Sequence, residues 1–428
     1  MKVNIFWFRR DLRLNDNTAL NNALAEGLPV LPVFIFDDNI TGELPVDDPR
    51  ISFIYDSLSA LNNELGKYES SILVLRGNPE KVWKKLTAEY DINSVFINKD
   101  YEPYAITRDN NIEKLLNQNN ITFKKFKDQV IFEEKEIVKG DGTPYTVFTP
   151  YRNRWMQVFS TESSDALSPL RTASQNFLKA SFAFPPIEKH GFRRSMVKVR
   201  PFDLSAIEDY HKFRDLPAED RTSYLSPHLR FGTISIRELV RTAVSSNQVF
   251  LSELIWREFF MQILFNYPNV VTESFRPKYD NIRWRNNEKE FDLWCRGETG
   301  YPIVDAGMRQ LKQTGYMHNR VRMITASFLC KHLLIDWQWG EAYFASRLLD
   351  YELSSNNGNW QWAAGTGCDA APYFRVFNPY TQQEKFDPKF IYTRRWAPES
   401  QKPGYVPPVV EHAFARERAI KTYSEGIR

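Results

Sequence analysis

The sequence predicts an α/β domain with a doubly wound parallel sheet, followed by an all-helical domain, with a long connector between them. Three observations lead there. Over residues 1–130, short runs that are apolar throughout alternate with amphipathic helical stretches, the pattern of strands buried on both faces. From 131 to 200 that pattern dissolves into turn, Ser/Thr-rich and proline signals. Beyond Pro201 a helical period continues almost to the end. With 428 residues the chain is too long for one ordinary domain, so the expected division is 1–130, 131–200 and 201–428.

Taken in order, Val3–Phe8, Pro29–Phe36, Ile72–Leu75 and Ser94–Ile97 are the expected strands, and Ile51–Leu65 and Glu80–Tyr90 the helices between them. No G-x-G-x-x-G follows the first strand, so no dinucleotide is expected there. In the connector, 140–144 is a turn, 160–174 is rich in Ser and Thr, and Arg152–Phe159 can form a short helix. Further on, Ser226 is a plausible N-cap ahead of Pro227, Ser235 and Glu238 form a capping box, and Ser252 can cap the next helix. Tyr316–Leu334 and Glu341–Leu349 are further expected helices.

The net charge of +3 conceals an asymmetry: 1–130 carries 16 basic against 19 acidic residues, the remainder 40 against 34. A basic second part is compatible with a polyanionic partner, and equally with a solvated surface. Cys295, Cys330 and Cys368 stand far apart, so neither a metal site nor a disulfide framework is expected. The N-terminal apolar stretch is too short for a signal peptide, and no run is long enough to span a bilayer. The expectation is a cytosolic monomer without membrane contact.

Four stretches carry chemistry. Thr222-Ser-Tyr-Leu-Ser226 precedes a proline-started helix, where hydroxyls and free N–H groups either cap the helix or hold an anion. In Ser252–Phe260, Glu253, Trp256 and Phe260 share a helical stripe; Glu253 could pair with Arg257, or meet the edge of a base stacked on Trp256. Gly315–Ala326 places Asn319 and Met323 one turn apart, flanked by Arg320 and Arg322, which suits a flat heterocycle with a phosphate or an ordinary amphipathic helix. In Asp350–Pro379, Trp360 and Trp362 sit behind an Asn-Asn-Gly-Asn turn. On a helix those two indoles have different neighbours. A tryptophan-rich core corner and a wall for an unsaturated ligand both remain open for this stretch.

In combination, SELIWREF (252–259), MHNRVRM (317–323) and NNGNWQWAAGTG (356–367), with WFRRDLR (7–13), RVFNP (375–379) and WAPE (396–399), identify the chain as resembling the photolyase/cryptochrome flavoprotein family over nearly its whole length. Among its members it is most similar to class I cyclobutane pyrimidine dimer photolyases of the bacterial type. The resemblance implies FAD held in the helical domain, with Tyr210, Thr222, Ser223, Tyr224, Leu225 and Ser226 about the phosphates. It implies Arg322, Asp350, Tyr351, Glu352 and Asn356 about the isoalloxazine, with Asn356 near the nitrogen that carries the redox proton. Family members show Asp-x-Asp where this chain has Asp350-Tyr351-Glu352, so the contact of Glu352 is open.

The resemblance further implies an electron chain through Trp360, Trp337 and Trp284. Glu253, Trp256, Asn319, Met323 and Trp362 would clasp the lesion, and Arg257, Arg320 and Arg375 would contact phosphate or the active site. The implied substrate is UV-damaged DNA, whose linked pyrimidines are extruded, split by an electron from excited reduced FAD, and stabilised by Glu253 as charge develops. A cryptochrome-type photoreceptor is the alternative on the same fold; repair of 6-4 photoproducts ranks lower, since relatives with that activity carry histidines at the positions of Asn319 and Met323. A second, antenna chromophore is implied between the domains, folate (methenyltetrahydrofolate) or a deazaflavin, with Glu102 near it.

Overall fold

The computed structural model describes residues 1–162 and 174–428, so the Ser/Thr-rich stretch expected within the connector lies largely outside the described residues. The chain forms two compact units. The first comprises 1–137, 155–202 and 224–245, the second 138–154, 203–223 and 246–428. Much of the stretch read as connector therefore clusters with the sheet, as does 224–245.

In the first unit, β1 (Val3–Phe8), β2 (Val30–Asp37), β3 (Leu73–Gly77), β4 (Ile92–Asn98) and β5 (Thr122–Phe126) make one parallel sheet in the order β3-β2-β1-β4-β5. Side chains alternate across it, as the two-residue period of a strand requires. Phe6, Phe8, Phe34 and Phe36 enter one core; Ile5, Trp7, Val33 and Ile35 enter the other. Burial on both faces explains why these strands read as unbroken apolar runs. β5 escaped the sequence reading because Lys124 and Lys125 interrupt its apolar character, as befits an edge strand.

A buried charge network ties the β1 loop to a later helix of the same unit. Asp128 accepts from Arg13 at 2.6 Å and from Arg237 at 2.8 Å, while Arg237 also reaches Asp16 at 3.0 Å. Burial pushes the Asp128 carboxyl up, but the two guanidiniums outweigh it and hold the group below the usual aspartate range. Ser235 donates to Asp16 and accepts from the Arg237 N–H, so it caps the helix Ile236–Ser246 in the expected place.

Two other expected caps are corrected. The helix Ser226–Phe231 starts at Ser226 itself, with Leu225 before it and no side-chain cap. Ser252 lies inside the helix Gln248–Asn266, which Asn247 caps by accepting from the Val249 and Phe250 N–H groups. Asn247, five residues upstream, supplied the acceptor earlier than the sequence reading placed it.

The second unit is helical. Its core gathers Trp294, Trp337, Phe344 and Trp360 with aliphatic side chains. The expected helix Tyr316–Leu334 is shorter and of two kinds: an α-helix over Asn319–Ser327, then a π-helical turn over Phe328–Leu333. Within that turn Lys331 is 1% exposed, donates to the Ala364 carbonyl at 2.7 Å and lies 3.5 Å from the centre of the Tyr423 ring. Burial draws its ammonium down to about 7. Among the described residues no helix is long and apolar enough to cross a membrane.

Candidate functional site

The helix Leu353–Ala364 is the platform of the second unit. Gly365, at φ +89°, ends it in the left-handed conformation that favours glycine. Both Gln248–Asn266 and Asn319–Ser327 pack against it. Close approach depends on Gly358: a Cβ there would lie 2.2 Å from the Phe260 ring. Gln361 fixes the inner face by accepting from the Phe275 N–H at 2.8 Å and donating to the Val270 carbonyl at 3.0 Å. The three motifs that the sequence singled out thus meet on one platform.

The two tryptophans of that helix differ in exposure. Trp360 is 2% exposed, with its ring edge-on to Phe344 (4.9 Å) and Trp294 (6.2 Å). Gly340 makes room for it, since a Cβ there would lie 2.1 Å from the indole. Trp337 is buried in the same core, and half-buried Trp284 packs at its margin, edge-on to Tyr423. Trp362 is half-buried and packs against the same core. Trp294, buried against Trp360, was not singled out from the sequence; no motif marks it.

At the start of the platform, Arg322 donates to Asp350 at 2.8 Å and to the Met317 carbonyl at 2.8 Å. The other Asp350 oxygen is buried and without a hydrogen-bond partner among the described residues, as is the Ser354 hydroxyl. Asn356 donates to the Glu341 carboxyl at 2.7 Å, and burial raises that carboxyl's pKa. Glu352, left open by the sequence, is buried, accepts from the Ser355 hydroxyl at 3.0 Å and lies 3.5 Å from Arg257. Arg257 therefore faces an interior carboxylate, with 12% of its side chain exposed. Tyr351 is half-buried beside them.

On the Gln248–Asn266 helix, Trp256 stacks face to face with Phe148 at 3.6 Å and 8°, and more loosely with Phe260. Within the protein, the partner of Glu253 is not the expected Arg257. Its carboxylate accepts from Arg214 at 2.7 Å. Burial raises the Glu253 pKa, and Arg214 opposes that rise. The neighbouring residue, Asp215, accepts from Arg320 at 2.7 Å. Arg214 and Asp215 were missed because a loop dipeptide of opposite charges carries no local signal of what it pairs with.

On the helix Asn319–Ser327, Asn319 is exposed and Met323 half-buried. His318, uninterpretable in the sequence, caps that helix by accepting from the Arg320 N–H, and burial holds its imidazole down to about 4. Tyr210 is half-buried with its ring edge on Phe250. Thr222 and Ser223 are half-buried in the second unit; half-buried Tyr224, at φ +50°, buried Leu225 and exposed Ser226 belong to the first. Arg375 is exposed, with its guanidinium over Phe377. Among the described residues no group of three potential metal ligands occurs.

Comparison with known proteins meets this geometry at both units. A family model described as DNA photolyase matches residues 4–171, and one described as FAD binding domain of DNA photolyase matches 250–404. The deoxyribodipyrimidine photo-lyase of Agrobacterium fabrum is 36% identical over 98% of this chain and 97% of its own. The chain belongs to the DNA photolyase family. Among solved photolyase structures, a bacterial class III photolyase from Agrobacterium tumefaciens superposes with a TM-score of 0.88 at 35% identity, covering 100% of this chain and 98% of that one. An archaeal photolyase from Sulfolobus tokodaii, solved with two FAD molecules, gives 0.86 at 36% identity, covering 99% and 100%.

A photolyase FAD-binding domain spans the platform, and the residues there fit such a group. A buried carboxylate oxygen and a buried hydroxyl without partners call for a ligand that brings polar hydrogens and acceptors to Asp350 and Ser354. In the first unit, Glu102 accepts from Arg10 at 2.9 Å and lies 3.7 Å from Arg230. It stands beyond the carboxyl end of β4, near the point where the strand order reverses, the usual ligand position in an open α/β sheet.

Proposed function

We propose that the protein is a light-dependent DNA-repair enzyme that splits cyclobutane pyrimidine dimers. The observation that supports this reading is the packing of three helices: the one carrying Glu253 and Trp256 and the one carrying Asn319 and Met323 both pack on the one carrying Trp360 and Trp362. FAD, when bound, would supply light-driven one-electron chemistry at this platform.

The chain's own residues do the rest. Arg320 and Arg375 draw in the phosphate backbone. Trp256 and Trp362 present aromatic walls for the extruded pyrimidine pair, whose weakened stacking and pairing lower the cost of extrusion. Phe148, flat against Trp256, holds that wall's plane. Glu253 stabilises charge developing on a base carbonyl. Asp350, with Arg322 and Asn356, would hold the cofactor ring, and Tyr210, Thr222 and Ser223 its phosphates. A second chromophore near Glu102 gathers light. The protein acts as a cytosolic monomer.

Illumination of the reduced, FAD-loaded protein with dimer-containing DNA is expected to restore thymine absorbance; the absence of light-dependent recovery would exclude repair and leave light sensing without repair. Arg320→Ala is expected to weaken binding of damaged and undamaged DNA alike and to lower the slope of log affinity against log salt by about 1. An unchanged slope removes Arg320 from phosphate contact.

A further inference from the structure

Two adjacent loop residues cross-pair with two residues of the lesion site. Arg214 donates to Glu253 at 2.7 Å, and Asp215 accepts from both the Nε (3.2 Å) and an Nη (2.7 Å) of Arg320. The quartet holds two cations and two anions, so it is neutral as folded. Its members differ in access to water. Asp215 is the most open, with 40% of its side chain exposed, while Arg320 has 18%, Arg214 24% and Glu253 33%.

Resting on the repair function, we propose that Arg214 and Asp215 are positioning residues through which a DNA phosphate bound at Arg320 frees Glu253 from its ion pair, so that Glu253 takes up a proton as DNA binds. A guanidinium fork that holds a carboxylate can hold a phosphate in its place. The phosphate displaces Asp215, whose nearest remaining cation is Arg214, one residue away. Asp215 then competes with Glu253 for that cation. The incoming phosphate also leaves the cluster with one negative charge too many.

Protonation of one carboxyl restores the balance, and the two carboxyls are unequal. Asp215 can hydrate. Glu253 is already pushed up by burial; the Arg214 cation opposes that rise and the Asp215 charge adds to it. Tyr210, the other titratable group against it, stays protonated, since burial and the Glu253 charge both raise its phenol. On its own helix Arg257 faces Glu352 and not Glu253. His318, neutral through burial, adds no cation. The gain is chemical: an ionised carboxylate only accepts hydrogen bonds, whereas a protonated one donates to a base carbonyl that is gaining charge. The free protein thus holds Glu253 ionised, and DNA itself converts it to a donor.

The test is proton uptake when the FAD-loaded protein binds dimer-containing duplex at neutral pH, measured by titration calorimetry in buffers of different ionisation enthalpy. About one proton is expected for the native protein and none for Glu253→Gln. Asp215→Asn should bind DNA more tightly, because no carboxylate competes with the phosphate, and should lose the uptake, because nothing then draws Arg214 from Glu253. Retention of the FAD spectrum shows that each variant is folded. No uptake by the native protein, equal uptake by Glu253→Gln, or undiminished uptake by Asp215→Asn would each overturn the proposal. Light-driven repair, scored separately, tells failure of this coupling from failure of the repair assignment.

Discussion

Trp360→Phe is expected to abolish light-driven reduction of oxidised FAD in the protein while leaving the fold in place. An indole gives up an electron far more readily than a phenyl ring, so the substitution removes the redox group and keeps an aromatic side chain in its slot. The slot is well defined: Phe344 and Trp294 meet the ring edge-on, and Gly340 leaves room for it. The smaller ring should cost about 1–2 kcal/mol of stability, a tolerable loss for a domain of this size. Loss of oxidised-flavin absorbance under blue light with a reductant present is the measurement. Trp294→Phe is the matched control, because Trp294 is buried against Trp360 but lies outside the expected chain Trp360, Trp337, Trp284. Unchanged photoreduction in Trp360→Phe would remove Trp360 from electron transfer; loss in Trp294→Phe would show that the path branches there.

The second large effect concerns stability. Asp128→Ala is expected to destabilise the protein by about 3–5 kcal/mol, because it takes a carboxylate from two buried guanidiniums and leaves one of them, Arg13, without any. Arg13 and Arg237 both turn to this carboxylate, whose side chain is 1% exposed, and Thr18 donates to it through its N–H and its hydroxyl. Arg237 keeps the Asp16 carboxylate as a partner, whereas Arg13 is left with the neutral carbonyls of Gly232 and Asp16. The pH dependence is set by the direction of the shift. With its folded pKa below the unfolded one, Asp128 contributes fully above the ordinary aspartate range, and the contribution fades as pH falls from that range through the lower folded value. Urea unfolding of native protein and variant at neutral pH measures the difference; a loss under about 1 kcal/mol would mean that water reaches the stranded Arg13.

Some of this architecture was legible in the chain and some was not, for physical reasons. Val3–Phe8 was read to the residue because a strand buried on both faces has no polar position to blur it. Thr122–Phe126 was lost because an edge strand carries lysines. Trp360 and Trp362 were expected to have different neighbours because a helix turns residues two apart to different sides; they differ in exposure, buried against half-buried, yet both meet the same core. Caps at Ser226 and Ser252 were misplaced because cap-competent residues are common and only backbone geometry selects among them. The partners of Glu253 and Glu352 lay beyond reach: Arg214 is 39 positions away, and Arg257 belongs to a different helix.

The π-helical turn at Phe328–Leu333 has a consequence for length. A turn closed by i→i+5 bonds holds one residue more than an α-helical turn of the same span. The extra residue is thus absorbed within the turn's own span. Removing a single residue there would let the segment close as ordinary α-helix with the flanking chain kept in phase, so a deletion at this turn should be tolerated better than one elsewhere along the helix. What it would displace is the buried Lys331, whose ammonium reaches the Ala364 carbonyl.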